Sequence, residues 1–197
     1  MRRGNIEPVG TEKGERRRQA LTAAAGELLH SGGFDAVRHR AVAEKAGLPL
    51  ASTTYYFASL DDLVVAAVEH TSRQELAEGR AQLAAVPGAL DREQLVELLL
   101  DQLLGPESRV GGLDAVLLRF ERLVGAGRRP YLAPLMRALR VELDALLTDV
   151  LARAGHPVDP AELRRLIALV DGTVISALIE ADPPPLAAAR EVLQTAL

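Results

Sequence analysis

The stretch Phe34–Leu63, FDAVRHRAVAEKAGLPLASTTYYFASLDDL, decides how the rest of the chain is read. Helix-favouring residues run from Val37 to Ala46 and stop at Gly47, a residue suited to the left-handed turn that ends helices. Leu48 and Pro49 make a tight connection, and a second short segment, Leu50 to Phe57, follows at once. Helix, glycine-containing turn and helix within about twenty residues is the outline of a helix-turn-helix. In the second segment the helical period carries Ser52, Thr54, Tyr55 and Tyr56 outward and turns Thr53 and Phe57 towards a core. Hydroxyls and phenols bond phosphate oxygens and base edges, so the expected partner of this face is double-stranded DNA. For Leu50 and Ala51, which lead the segment, contact with a thymine methyl and plain packing both fit.

Just upstream, Val37, Ala41, Val42 and Ala46 form an inward stripe that leaves Arg38 and Arg40 free to face a groove or a backbone. Arginine to guanine is the commonest specific base contact. An ion pair from Arg40 to Glu44, four residues on, is the competing use of that side chain. Before this lies an expected helix from Gly14 to His30, with Ala20, Leu21, Ala24, Ala25, Leu28 and Leu29 on one face and Gly32-Gly33 ending it. Its first turn carries Arg16, Arg17 and Arg18, where the helix dipole disfavours cations and a phosphate offsets that cost. Residues 1–13 show no apolar period and read as a disordered basic tail whose Arg2, Arg3 and Lys13 can brush DNA.

Charge supports the same division. The chain of 197 residues carries a net charge of −4, yet residues 1–57 hold nine Lys/Arg against six Asp/Glu, and the remainder fourteen against twenty-one. A basic head on an acidic body suits a protein that docks one end on phosphate. Residues alternating with period two are scarce, so the fold class expected is all-α, with about nine helices. The chain has no Cys, and His30, His39, His70 and His156 lack metal-ligand spacing, so neither metal nor cofactor is expected. No apolar run approaches the roughly 18–20 residues of a membrane span, and the expected location is the cytoplasm.

Past the head, Ser59 reads as the N-cap of a long helix to about Leu83, and Asp91 as the cap of another through Leu104. Leu113, Val116, Leu117, Phe120 and Val124 give one apolar stripe up to Gly127; Leu135, Leu139, Leu143, Leu146, Val150 and Leu151 give the next. Asp159-Pro160 caps a helix to about Ala181 that is apolar nearly all round. Such a helix must be covered on every face, and the tail from Leu186 to Leu197 is too short to do so alone, so a second copy of the chain is expected there.

The head resembles the tetracycline-repressor (TetR) family of bacterial transcription regulators, over Arg16 to Leu63. The matching words are Gly33-Phe34, Val42-Ala43, Ala46-Gly47-Leu48, Tyr55-Tyr56-Phe57, and Ser59 followed by Asp61-Asp62-Leu63. The chain departs from the family at Pro49 in place of a serine, Thr54 in place of a tyrosine, Tyr56 in place of a histidine and Leu60 in place of a lysine that touches phosphate. The resemblance implies DNA contact by Arg38, His39, Arg40, Leu50, Ala51, Ser52, Thr54, Tyr55 and Tyr56, with Arg40 at a base-reading position and His39 where a phosphate-binding hydroxyl is usual. It implies domains at 14–58 (helix-turn-helix) and 59–197 (regulation and dimerisation). It implies pairing of the last two helices with their symmetry mates, here through Leu166, Val170, Val174, Leu178, Leu186, Val192 and Leu193. A small-molecule effector in the helical body, unidentified by the sequence, is implied too. Asp171 and Ser176, polar groups in an apolar helix, need partners that such a ligand or a neighbouring chain would supply, and His70, Phe120, Tyr131 and Met136 fit either a cavity lining or ordinary core and interface packing.

The function expected is therefore a homodimeric regulator of a palindromic operator, most simply a repressor released by its effector. Two other classes compete. A helical protein–protein adaptor that has lost DNA binding draws support from Leu60. A helical enzyme would need a nucleophile, a phosphate-cradling glycine loop or a His/carboxylate cluster, and the sequence offers none of these at a recognisable spacing.

Overall fold

A computed structural model describes residues 12–197, so Arg2, Arg3 and all but the last two residues of the expected tail lie outside the described residues. Lys13 is already helical. Among the described residues there are nine α-helices, one 3-10 turn (Pro130–Leu132) and no strand. The chain forms two compact units, 12–70 and 71–197, dividing inside a helix rather than ahead of it at residue 58.

The first unit holds α1 (Glu12–Ala36), α2 (His39–Lys45), α3 (Leu50–Tyr56) and the start of α4 (Leu60–Ala85). The regular part of α1 ends where the sequence puts it: Gly33 takes φ 65°, a conformation costly for any residue with a Cβ. Leu21, Ala25, Leu29, Val37, Val42, Phe57 and Leu63 close the core of this unit. α2 ends in a Schellman turn, with Gly47 at φ 63°, Gly47 N donating to Glu44 O at 3.1 Å and Leu48 N to Ala43 O at 2.9 Å. Ser59 caps α4 as its sequence predicts, its Oγ accepting from Asp62 N at 3.1 Å.

The second unit holds the rest of α4 with α5 (Arg92–Leu104), α6 (Ser108–Gly127), α7 (Ala133–Arg153), α8 (Pro160–Glu180) and α9 (Pro185–Ala196). Both aspartate caps form complete capping boxes. Gln94 N donates to Asp91 Oδ1 at 2.8 Å while Gln94 Oε1 accepts from Asp91 N at 3.1 Å, and Asp159 exchanges the same pair with Glu162. The stripe expected on α6 splits: Val116 and Phe120 are buried, but Leu113, Leu117 and Val124 are exposed, and Gly112 kinks the helix at φ 55°. α8 packs along α9.

Candidate nucleic-acid interface

α3 has no side-chain cap. Pro49, at φ −57°, supplies its carbonyl to Ser52 N at 2.9 Å, so the proline stands where a missing N–H costs nothing. The helix is oriented by what it buries. Thr53 is fully buried with its Oγ1 donating to Leu50 O at 2.8 Å, and Phe57, directly after α3, is buried beneath the guanidinium of Arg18, 5.6 Å from the ring centroid. Inward Thr53 and Phe57 fix the outward side: Leu50, Ala51, Thr54 and Tyr55 are exposed, and Ser52 and Tyr56 half-buried. Tyr55 is 81% exposed, its ring held edge-on to Tyr56 with centroids 4.9 Å apart.

On α2, Arg40 is exposed, and among the described residues the competing ion pair to Glu44 is not formed. Glu27 pairs instead with Lys45 at 2.7 Å. Arg38 is the N-cap residue of α2; its Nε donates to Asp35 O at 3.0 Å, which leaves the outer guanidinium nitrogens for other acceptors. His39 is half-buried, and its Nδ1 is shut in without a hydrogen-bond partner among the described residues. Nε2 is therefore the nitrogen left to donate to a phosphate. Of the three arginines in α1, Arg16 pairs with Glu12 at 3.2 Å and Arg18 is committed to Phe57; the sequence offered no sign of the latter contact.

The second unit corrects the expected dimer face. Val170, Val174 and Leu193 are fully buried within one subunit and have no surface for a partner; Leu166, Leu178, Leu186 and Val192 are half-buried at the margins. The cause is register: the α8–α9 packing takes Leu163, Ile167, Val170, Val174 and Ala177 inward. What remains outside is Leu169, Gly172, Ile175, Ser176 and Ile179, with Ile179 77% exposed. Leu169, Gly172, Ser176 and Ile179 recur at alternating three- and four-residue spacings, the seam of a helix pair. A Cβ on Gly172 would meet nothing within 4 Å, so another helix can approach there closely. Arg164-Arg165 and Gly172 were the available clue, since charged and glycine positions mark the outward side.

The candidate effector residues separate as well. Ser176 lies two positions beyond buried Val174, some 200° round the helix, and is exposed, so it lines no interior cavity. His70 belongs to the first unit, the others to the second. Phe120 is buried, and Tyr131, Met136 and Asp171 are half-buried. Burial pushes the Asp171 carboxyl above its ordinary range, with Arg140 and Arg119 opposing. A carboxyl raised in the folded state gives stability that is complete below its unfolded pKa and is lost as pH rises through the folded one. Asp171→Asn is accordingly expected to raise the melting temperature at neutral pH and to change it little in acid. A lower melting temperature at neutral pH would mean that the charge is met within the fold.

Residues 21–67 match the family described as bacterial regulatory proteins, tetR family, and residues 90–197 match the tetracyclin repressor-like C-terminal domain. The HTH-type transcriptional regulator PksA of Bacillus subtilis (strain 168) is 26% identical over 171 residues, which cover 84% of this chain and 80% of that protein. The multidrug binding protein EbrR, solved in complex with ethidium, is 35% identical and superposes with a TM-score of 0.65 over 92% of this chain and 98% of its own. A TetR-family protein of Streptomyces coelicolor A3, SCO1917, is 33% identical with a TM-score of 0.58 over 92% of this chain and 98% of its own. Among the described residues no helix is long and apolar enough to cross a membrane. With a tyrosine-bearing helix-turn-helix matched over residues 21–67 and the helical body matched over residues 90–197, the chain belongs to the tetracycline-repressor (TetR) family of transcription regulators.

Proposed function

We propose that the protein is a homodimeric cytoplasmic repressor that holds a palindromic operator through two α2–α3 heads and lets go when a small molecule occupies its helical body. The observation that carries the DNA half is the outward set of Arg40, Leu50, Ala51, Thr54 and Tyr55, in a stretch (residues 1–57) that carries nine Lys/Arg against six Asp/Glu. Leu60 in place of the family's phosphate-binding lysine removes one contact and leaves this set intact. Two heads related by a two-fold axis reach successive major grooves when set about 34–36 Å apart.

Dimerisation is supported by the exposed α8 seam of Leu169, Gly172, Ser176 and Ile179, an apolar face that a soluble monomer has no reason to keep. The effector half is supported by the likeness to EbrR, which has been solved in complex with imidazole, proflavin, ethidium and malachite green. Phe120, Tyr131, Met136 and Asp171 are the side chains assigned to it here, an apolar and aromatic set with one carboxylate. A ligand that prefers one spacing of the heads shifts the population by its differential affinity for the two states, and DNA affinity follows by the same coupling energy.

Selection of bound duplexes from a random pool tests the reading. The expected product is an inverted repeat, bound with log K falling linearly in log salt at a slope near −0.9 per phosphate neutralised. A pool from which no sequence is enriched, with no salt-dependent binding to duplex DNA, would favour the adaptor.

A further inference from the structure

We propose that α3 reads its operator half-site through the C5-methyl groups of thymine, which Leu50, Ala51 and the methyl of Thr54 meet in the major groove. This rests on the operator-binding reading above and specifies the chemistry by which that site discriminates.

From Leu48 to Leu60 the chain contains no Arg, Lys, Asn or Gln. These are the side chains that make the bidentate contacts to guanine O6/N7 and adenine N6/N7 in the major groove. Of the hydroxyls on the helix, the Tyr55 phenol at its far end is the most open to solvent, and the aliphatic ones are more constrained. Thr53 is fully buried, Ser52 is half-buried, and Thr54 Oγ1 donates its one hydrogen to Ala51 O at 3.2 Å. Thr54 therefore offers a lone pair and a methyl to a base, not a donor.

What the face does present is apolar. Leu50 is 51% exposed at the very start of the helix, Ala51 is exposed beside it, and Thr54 lies four residues from Leu50 and three from Ala51, so the three share one patch. Nothing in the fold of the head needs Leu50 outside: its core is closed by Leu21, Ala25, Leu29, Val42 and Phe57. The apolar group that B-DNA offers in its major groove is the thymine methyl. Tyr55, braced edge-on by Tyr56, flanks the patch, and Arg40 on α2 is left as the reader of any guanine. The half-site this face fits has thymine opposite the start of α3 and guanine only towards α2.

The test uses the full-length protein and the inverted repeat it selects. Each thymine of one strand, then of the other, is replaced singly by deoxyuridine, which removes the methyl and keeps every hydrogen-bonding group. At one or more thymines in each half-site the loss of a buried methyl is expected to weaken binding about three- to fivefold, with no effect at thymines outside the patch. Leu50→Ala is expected to abolish the thymine–uracil difference at those positions while leaving the melting temperature unchanged. A flat response at every thymine, with tight binding to the repeat intact, overturns the methyl reading and leaves the operator-binding reading standing, as does a Leu50→Ala protein that still discriminates. Failure to enrich any sequence overturns both together.

Discussion

Replacing Ile175 and Ile179 together with glutamate is expected to split the dimer without unfolding the subunit. Both side chains stand outside the packed α8–α9 pair, so the folded subunit loses no core contact when they change. One carboxylate per helix, at 179, would lie in the seam and the other, at 175, beside it, and burying an unpaired charge costs several kcal/mol (about 3–5 kcal/mol for a lost partner). Losing the second head makes operator binding a one-site event, and the tethering advantage forfeited is of the order of 10²–10⁴-fold in affinity. Light scattering behind gel filtration, circular dichroism and operator titration read the three consequences separately. The contrast variant is Val174→Glu, whose side chain is fully buried inside one subunit; it is expected to abolish the folded state itself. A double glutamate variant that stays dimeric and keeps its operator affinity would put the two-fold axis elsewhere.

That contrast marks what sequence could and could not deliver. Caps and turns are local: Gly47, Asp91 and Asp159 act on residues two to four positions away, and each acts as its own neighbours dictate. The outward side of α3 was legible for the same reason, since Thr53 and Phe57 are one helical turn apart and both apolar enough to bury. α8 offered no such contrast. Leucine, valine and isoleucine surround it, so its inward side is chosen by where α9 packs, a tertiary fact that the period of α8 cannot contain. The same holds for α6, where the apolar stripe begins directly after a glycine kink and Leu113, Leu117 and Val124 come out in solvent. Arg18 over Phe57 joins the first helix to the segment after α3, and no spacing rule reaches that far.

Another contact between distant parts of the chain yields the second large effect. Arg119→Met is expected to destabilise the second unit by about 2–3 kcal/mol, or roughly 5–10 °C in melting temperature. The Arg119 side chain is only 14% exposed, and its guanidinium ends three unmet valences at once. Nη1 pairs with Glu75 Oε2 on α4 at 2.8 Å, Nε donates to Leu103 O at 2.9 Å, and Nη2 donates to Gln102 O at 3.0 Å. The two carbonyls belong to the last turn of α5, where the helix has no N–H of its own left to give. Gly105 follows at φ 87°, and a Cβ there would come within 3.2 Å of Arg119 Nη1, so the backbone is drawn in tightly around the side chain. Methionine keeps much of the volume and none of the donors, which isolates the polar loss from a packing loss. Arg122 limits the damage: it is buried enough that desolvation lowers its pKa, and Glu75 is among the acids that oppose this, so the Glu75 carboxylate keeps one cation nearby. Lysine at 119 retains the charge but cannot fork across two carbonyls and a carboxylate, and should recover less than half of the loss. In a double-mutant cycle with Glu75→Gln, the ion pair and the α5 cap separate: the part of the loss that survives in the Glu75→Gln background belongs to the carbonyls. Chemical unfolding of all four proteins measures it, and a cost below about 0.5 kcal/mol for Arg119→Met, the scale of an ordinary surface change, would show that the joint between α4, α5 and α6 is held by its leucines alone.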